Sequence, residues 1–153
     1  MAATGQDALL EHIREHWENT PYWRLLGITL EEARPGYALL RLPVRQEVQN
    51  AGGGSVHGGA LASLVDVAVT ALLWTVYDVG SEISGHTTAE LNVSYLAPGR
   101  GGAMHAEARL VRKGGTLMTG DVDVKDDQGE LVAKGRATYR VFRRRETPPK
   151  AVR

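Results

Sequence analysis

The chain has 153 residues, 42% of them apolar and 24% charged, which suits one globular domain with a sizeable core and leaves no room for two ordinary ones. Its 18 lysines and arginines balance 18 aspartates and glutamates, so no bulk charge draws it to a nucleic acid or a membrane surface, and neither partner is expected. Cysteine is absent, which excludes disulfides, thiolate catalysis and cysteine-ligated zinc.

Residues 1–17 lack the continuous apolar run of a signal peptide, and the apolar stretch 60–76 is interrupted by Asp66, so a cytoplasmic protein is the default expectation. Apolar positions at Ala8, Leu9, Ile13 and Trp17 predict an amphipathic helix over residues 7–17, stopped by Asn19-Thr20-Pro21. His12 and His16 lie four apart on that helix, but no carboxylate pattern of a zinc site accompanies them. They read as a solvated face, and no metal or cofactor is expected. Gly27 then opens a strand over 28–33, and Arg34-Pro35-Gly36 turns it into a second over 37–44.

The next stretch, from Asn50 to Tyr77, is the one around which the rest is organised. A glycine-rich loop leads through His57-Gly58-Gly59 into a helix whose apolar residues at 61, 64, 65, 68, 69, 72, 73 and 76 follow the 3.6-residue period, with Ala60, Ala62, Val67, Ala71 and Trp74 filling the other face. Such a helix is buried. Four strand-like runs follow, over 83–97, 103–112, 117–125 and 131–142, separated by glycine-rich or acidic turns. Their short connections predict a meander of neighbouring antiparallel strands. Two strands, one buried helix and four more strands make an α+β architecture, an antiparallel sheet wrapped around a long central helix, with a short N-terminal helix. Residues 1–26 form the N-terminal helical segment, 27–142 the main domain and 143–153 a flexible basic tail. The helix is too apolar for one set of strands to cover, and small residues at Ala60, Ala62, Ser63, Ala68 and Ala71 would admit a second copy, so a dimer at least is expected.

Within that helix Asp66 is the only charged residue between Gly58 and Tyr77. A carboxylate in apolar surroundings is costly unless it is compensated, so its presence asks for a reason. It either holds the helix in register through a neighbouring donor or does chemistry. Gly58 and Gly59 stand in the first helical turn, where backbone N–H groups lack intrahelical acceptors and the helix dipole favours negative charge. Those groups suit an oxyanion, and glycine lets a carbonyl approach the backbone closely. Asp66 lies about 12 Å further along the axis, from a rise of roughly 1.5 Å per residue. One helix therefore cannot present both features to a single carbon, whereas two antiparallel copies could. His57 and Asn50 read as supporting residues that orient the loop, the substrate carbonyl or a water. The glycine loop has neither the lysine of a phosphate-binding loop nor a dinucleotide spacing, and no Gly-x-Ser-x-Gly elbow is present.

These residues together carry a resemblance. Asn50, the glycine loop, His57-Gly58-Gly59-Ala60, Leu64-Val65-Asp66 and the run from Thr87 to Pro98, with Tyr95-Leu96-Ala97-Pro98 at its end, resemble the hotdog-fold acyl-CoA thioesterases of the phenylacetate-degradation type. The similarity spans residues 27–142. It implies a six-stranded antiparallel sheet around one helix, dimers with a continuous joint sheet, often paired into homotetramers, and hydrolysis of an acyl-CoA substrate at a site shared between subunits. It also implies roles: Asp66 as nucleophile or general base, the Gly58 N–H as oxyanion donor from the partner chain, and Asn50 and His57 as positioners of carbonyl and water. Thr88 falls where such enzymes carry a hydroxyl, and Gly59, Ser63 and Thr87 become candidate substrate contacts. Strict strand alternation, however, groups Thr88 with Glu90 and Asn92 on the polar face and Thr87 with Leu91 on the apolar one, unless a bulge changes the parity. The alternative is a non-catalytic module that binds acyl-CoA.

Overall fold

A computed structural model describes residues 5–144. Helix α1 (Gly5–Glu18) and the short α2 (Pro21–Leu26) precede the hairpin β1 (Thr29–Arg34) and β2 (Tyr37–Pro43). A loop containing one 3₁₀ turn (Gln46–Val48) leads to the central helix α3 (Gly58–Trp74), followed by β3 (Ile83–Tyr95), β4 (Ala103–Lys113), β5 (Leu117–Asp126) and β6 (Leu131–Arg143). Every strand pairing is antiparallel, and the six strands form one sheet in the order β1-β2-β4-β5-β6-β3. Arg143, placed at the start of the tail from sequence, is the last residue of β6 and donates to Glu82; residues 145–153 lie outside the described residues.

The strand order corrects the expected meander. Strands β4, β5 and β6 do follow one another, but β3 pairs with β6 at the sheet edge and β4 pairs with β2. The connection after β3, residues 96–102, crosses the end of the sheet: the Leu96 and Ala97 N–H groups bond Val132 O, Gly99 O receives the Val56 N–H, and Gly102 O receives the Val44 N–H. Seven extended residues reach about 23 Å, and three strand spacings take only about 14 Å. A connection too short to look like a crossover is therefore long enough to be one. Gly99 passes so close to its neighbours that a Cβ there would lie 3.0 Å from Met104 Sδ.

Helix α3 packs on the inner face of the sheet through Leu61, Leu64, Val65, Ala68, Val69 and Leu72, all buried. The sheet makes room with two glycines. A Cβ on Gly120 of β5 would stand 2.6 Å from Leu72 Cδ2, and one on Gly135 of β6 would stand 2.4 Å from Val65 Cγ1. Strand periodicity supplies the rest of the inner face, with Ala38, Leu40 and Leu42 on β2, Met104, Ala106 and Ala108 on β4, Met118, Val122 and Val124 on β5, and Ala137, Tyr139 and Val141 on β6.

Helix α1 covers β1 and the far end of α3, where Trp17, Trp23 and Trp74 form a ring cluster with neighbouring centroids 4.7 and 5.3 Å apart. The histidines expected on a solvated face turn inward to this cluster. His16 packs 5.3 Å from Trp74 and bonds His12 O, and His12 Nε2 is buried with no partner among the described residues. The reason is that α1 lies across the aromatic end of α3, so the face that carries Ile13 and Trp17 into the core carries its flanking histidines with it. No helix among the described residues is long and apolar enough to cross a membrane.

Candidate active site

Two features of α3 remain open after the core is built: its first turn and a stripe halfway along. The first turn is set by the loop before it. The Gln49–Val56 bridge closes that loop, and three consecutive glycines at positive φ, Gly52, Gly53 and Gly54, carry the chain round at 82°, 75° and 86°. Asn50 is the clasp: its side-chain amide donates to Ser55 Oγ at 2.9 Å, and its backbone accepts from Gly53 N–H at 3.0 Å.

His57 caps the helix. Its Nδ1 accepts from the Gly59 N–H at 2.9 Å, which in the neutral ring assigns the proton to Nε2 on an exposed side chain. The Gly59 N–H is thereby used within the chain. Its missing side chain is what permits the cap, since a Cβ would lie 3.0 Å from His57 Nδ1. The Gly58 N–H, in contrast, has no acceptor among the described residues, while Gly58 O accepts from Tyr95 Oη at 3.0 Å. The result is one free backbone donor at the positive end of a 17-residue helix dipole.

Halfway along α3, Asp66 is half-buried and held on one oxygen by two hydroxyls. Tyr139 Oη donates to Oδ1 at 2.6 Å and Thr88 Oγ1 donates to the same atom at 2.9 Å. Thr70, buried on α3, bonds Tyr139 Oη at 2.7 Å. Burial first, and the Asp66 charge second, push the Tyr139 phenol well above the ordinary tyrosine range, so it remains a donor. Thr88 reaches Asp66 because β3 carries a bulge between Thr88 and Glu90. On one side of it Thr88 pairs with the buried Tyr139, and on the other Leu91 pairs with the buried Ala137, so Thr88 and Leu91 share the α3 side of the sheet. Strict alternation put them on opposite faces, and the extra residue reverses that.

A cleft of about 250 Å³ opens above the carboxylate, lined by Tyr22, Ala62, Ser63, Asp66, Thr88 and Leu91. Ser63 donates to Gly59 O at 2.8 Å and bonds the Tyr22 phenol at 2.7 Å, so α2 forms one wall. Of the residues singled out from sequence, Asp66, Thr88 and Ser63 therefore come together here. Thr87 pairs with Arg140 on the opposite face of β3. Gly58, Gly59 and His57 stand a helix turn or more away at the N-terminus, and Asn50 lies with its loop in a separate recess.

Tyr139, Tyr22 and Tyr95 are the residues that sequence reasoning passed over. Tyr139 alternates with Ala137 and Val141 on an apolar face, and a phenol committed to a core needs a polar partner there. That requirement was the available signal for it. Tyr22 carries no comparable signal, because its partner is a serine 41 residues away, and Tyr95 belongs to the motif that carries the resemblance but shows nothing there of its bond to a backbone carbonyl 37 residues away.

The far end of α3 is polar in a different way. Trp74 Nε1–H donates to His86 Nε2 at 3.1 Å, and His86 stacks 5.8 Å from Tyr139. Burial lowers the His86 pKa, against the attraction of Asp66 and with the repulsion of His16, which favours the neutral ring that accepting from Trp74 requires.

Comparison with known proteins shows the family and the fold. Residues 53–133 match the thioesterase superfamily. The chain is 33% identical over 135 residues to human acyl-coenzyme A thioesterase 13, covering 86% of this chain and 92% of that one. It is 30% identical over 137 residues to the medium/long-chain acyl-CoA thioesterase YigI of Escherichia coli K12, covering 79% and 85% of the two chains. In fold it superposes on the E. coli PaaI protein of the phenylacetic acid degradation operon with a TM-score of 0.78 at 21% identity, over 91% of this chain and 96% of that one. The six-stranded antiparallel sheet around one long helix is the hotdog fold.

Proposed function

The chain belongs to the thioesterase superfamily, and from that premise we propose that it hydrolyses an acyl-CoA thioester to the free acid and CoA at a site completed by two copies of the chain. The observation that carries the proposal is the Asp66 carboxylate, hydrogen-bonded on one oxygen and open on the other at the floor of a cleft. A carboxylate that only held the helix in register would need the two donors but not the cleft beside its second oxygen.

The chemistry is hydrolysis with Asp66 as general base. The cleft beside the carboxylate has room for a water, which gives a proton to Asp66 as its oxygen bonds to the thioester carbon. The carbonyl oxygen takes the negative charge and is met by the free Gly58 N–H at the positive end of a helix. The carbon–sulfur bond then breaks, and the CoA thiolate takes the proton back from Asp66. The exposed His57 ring and the Asn50 loop orient the carbonyl and the water, Thr88 holds the base, and Ser63 and Gly59 line the substrate path.

Gly58 and Asp66 of one chain are eight residues apart on a rigid helix, about 12 Å, too far to share one carbon. A second chain supplies the missing half. Strand β3 supports this: it is a 13-residue edge strand joined to β6 only, and Leu91, Tyr95 and Leu96 are 39%, 54% and 54% exposed. The open stripe of α3, with Gly59, Ala62, Ser63 and Asp66, lies beside it. Pairing two β3 edges about a two-fold axis sets two α3 helices antiparallel, with each Gly58 near the other Asp66.

The test is complementation, read by thiol release from a panel of short, medium, long and aromatic acyl-CoAs. Alone, the Gly58→Ala chain turns over roughly ten-fold more slowly than wild type and the Asp66→Asn chain roughly 10²-fold or more. Unfolded and refolded together, they form mixed dimers with one site carrying both lesions and one carrying none, which returns roughly a quarter of wild-type turnover. No recovery on mixing refutes the shared site, and acyl-CoA binding without thiol release in the wild type refutes the hydrolase.

A further inference from the structure

Two hydroxyls converge on a single oxygen of Asp66. Tyr139 of β6 and Thr88 of β3 are direct cross-strand partners, and both reach Oδ1, at 2.6 and 2.9 Å. A carboxylate oxygen offers two lone pairs in its plane, and two donors occupy both. Among the described residues nothing donates to Oδ2. The phenol is itself fixed, being only 2% exposed, accepting from Thr70 Oγ1 at 2.7 Å, and having Asp66 O at 3.0 Å as a secondary acceptor of the one proton it gives Oδ1.

Resting on the reading of Asp66 as general base, we infer that Tyr139 is a positioning residue: with Thr88 it saturates Oδ1, stops the carboxylate from rotating, and leaves Oδ2 as the oxygen that takes the proton from water. The division of labour follows from where the two donors are anchored. Thr88 sits with its side chain exposed, beside a bulge on β3, whose other edge has no partner strand in its own chain. Tyr139 sits on an interior strand, between β5 and β3, with its ring in the core. Of the two, Tyr139 is the rigid reference against which the carboxylate is set. Its phenol stays protonated throughout the range in which a carboxylate base works, so the donor is never lost to pH.

Tyr139→Phe tests this with little disturbance of packing. The ring stays, Thr88 still holds Asp66, and Thr70 keeps Asp66 O as its acceptor at 3.3 Å. Without its second donor the carboxylate both swings and becomes more basic. The expected result is a roughly ten-fold lower kcat with KM changed by less than about two-fold, and an acid limb of the pH profile moved upward by roughly half a unit or more. An unmoved acid limb overturns the inference, whatever kcat does, because a purely structural phenol would not tune the base. If the phenylalanine chain fails to fold, 3-fluorotyrosine at position 139 keeps ring and hydroxyl and makes a stronger donor, and the limb then moves downward; no movement overturns the inference equally. Asp66→Asn assayed in parallel separates the levels. Turnover retained in that variant removes both the base and its positioner, whereas an inactive Asp66→Asn beside a wild-type-like Tyr139→Phe removes the positioner alone.

Discussion

The two sides of helix α3 are built on opposite principles. Against the sheet every position is finished by the chain itself: Leu64, Val65, Ala68 and Leu72 are fully buried, and Gly120 and Gly135 are glycine because the helix leaves no space for a side chain. On the other side Gly59, Ala62, Ser63 and Asp66 stay open, and Gly58 offers a donor that nothing in the described chain accepts. The glycines show the contrast most directly. Those in the sheet are demanded by packing. Gly58 is not, since it has ordinary helical backbone and a Cβ there would meet the Tyr95 ring at 3.4 Å, a normal contact. On the reading proposed above, the need for Gly58 lies in the substrate carbonyl that approaches its N–H.

The largest effect expected is on the open side. Asp66→Asn should lower kcat by roughly 10²-fold or more, while the melting temperature holds within a few degrees, because an amide is isosteric and Thr88 and Tyr139 can still donate to its carbonyl oxygen. A parallel loss of stability would mean that the carboxylate belongs to the finished side after all. Gly135→Ala should show the reverse pattern, an overpacked core that costs about 1–3 kcal/mol in denaturant unfolding, with the residual folded enzyme turning over normally. Gly58→Ala keeps the backbone N–H but sets a Cβ in the path of the carbonyl, and should lose roughly ten-fold in turnover yet melt no lower than wild type, since alanine is the better helix former. Destabilisation there would erase the distinction between the two classes of glycine.

The smallest effect concerns pH. Burial lowers the His86 pKa below its ordinary 6.5, so the unfolded chain takes up a proton that the folded chain refuses. Stability is therefore full above that ordinary value and declines as pH falls beneath it. Asp121, whose pKa the hydrogen bond from Arg136 lowers, adds a loss of the same sign only at more acid pH. Melting at pH 7.5 and 5.5 should show the drop, and His86→Gln, which keeps an acceptor for Trp74 but cannot titrate, should reduce it. An equal drop in that variant would assign the effect elsewhere.

Much of this was legible in the residues. The α3 period, the strand runs and the turn glycines locate nearly every element to within a residue or two, because hydrophobic spacing and turn chemistry are local. In the residues the loop after β3 is legible only as short, which predicts adjacent strands, whereas its hydrogen bonds to Val132, Val56 and Val44 carry it across the sheet. His12 and His16 were misplaced for a related reason: a histidine's polarity says nothing of which neighbour will cover it.

The order of residues alone dictated that a carboxylate stands in an apolar helix behind an open glycine turn, and that so placed it calls for compensation. It also determined that one helix cannot bring the two together, since helical rise is the same in any fold. What compensates the carboxylate follows from long-range packing instead. A single bulged residue in β3 swings Thr88 to the inner face, and the crossover that sets β6 beside β3 places Tyr139 opposite it. Parity across a bulge and pairing across a sheet are set by contacts between residues as much as 73 positions apart, and spacing along the chain does not record them.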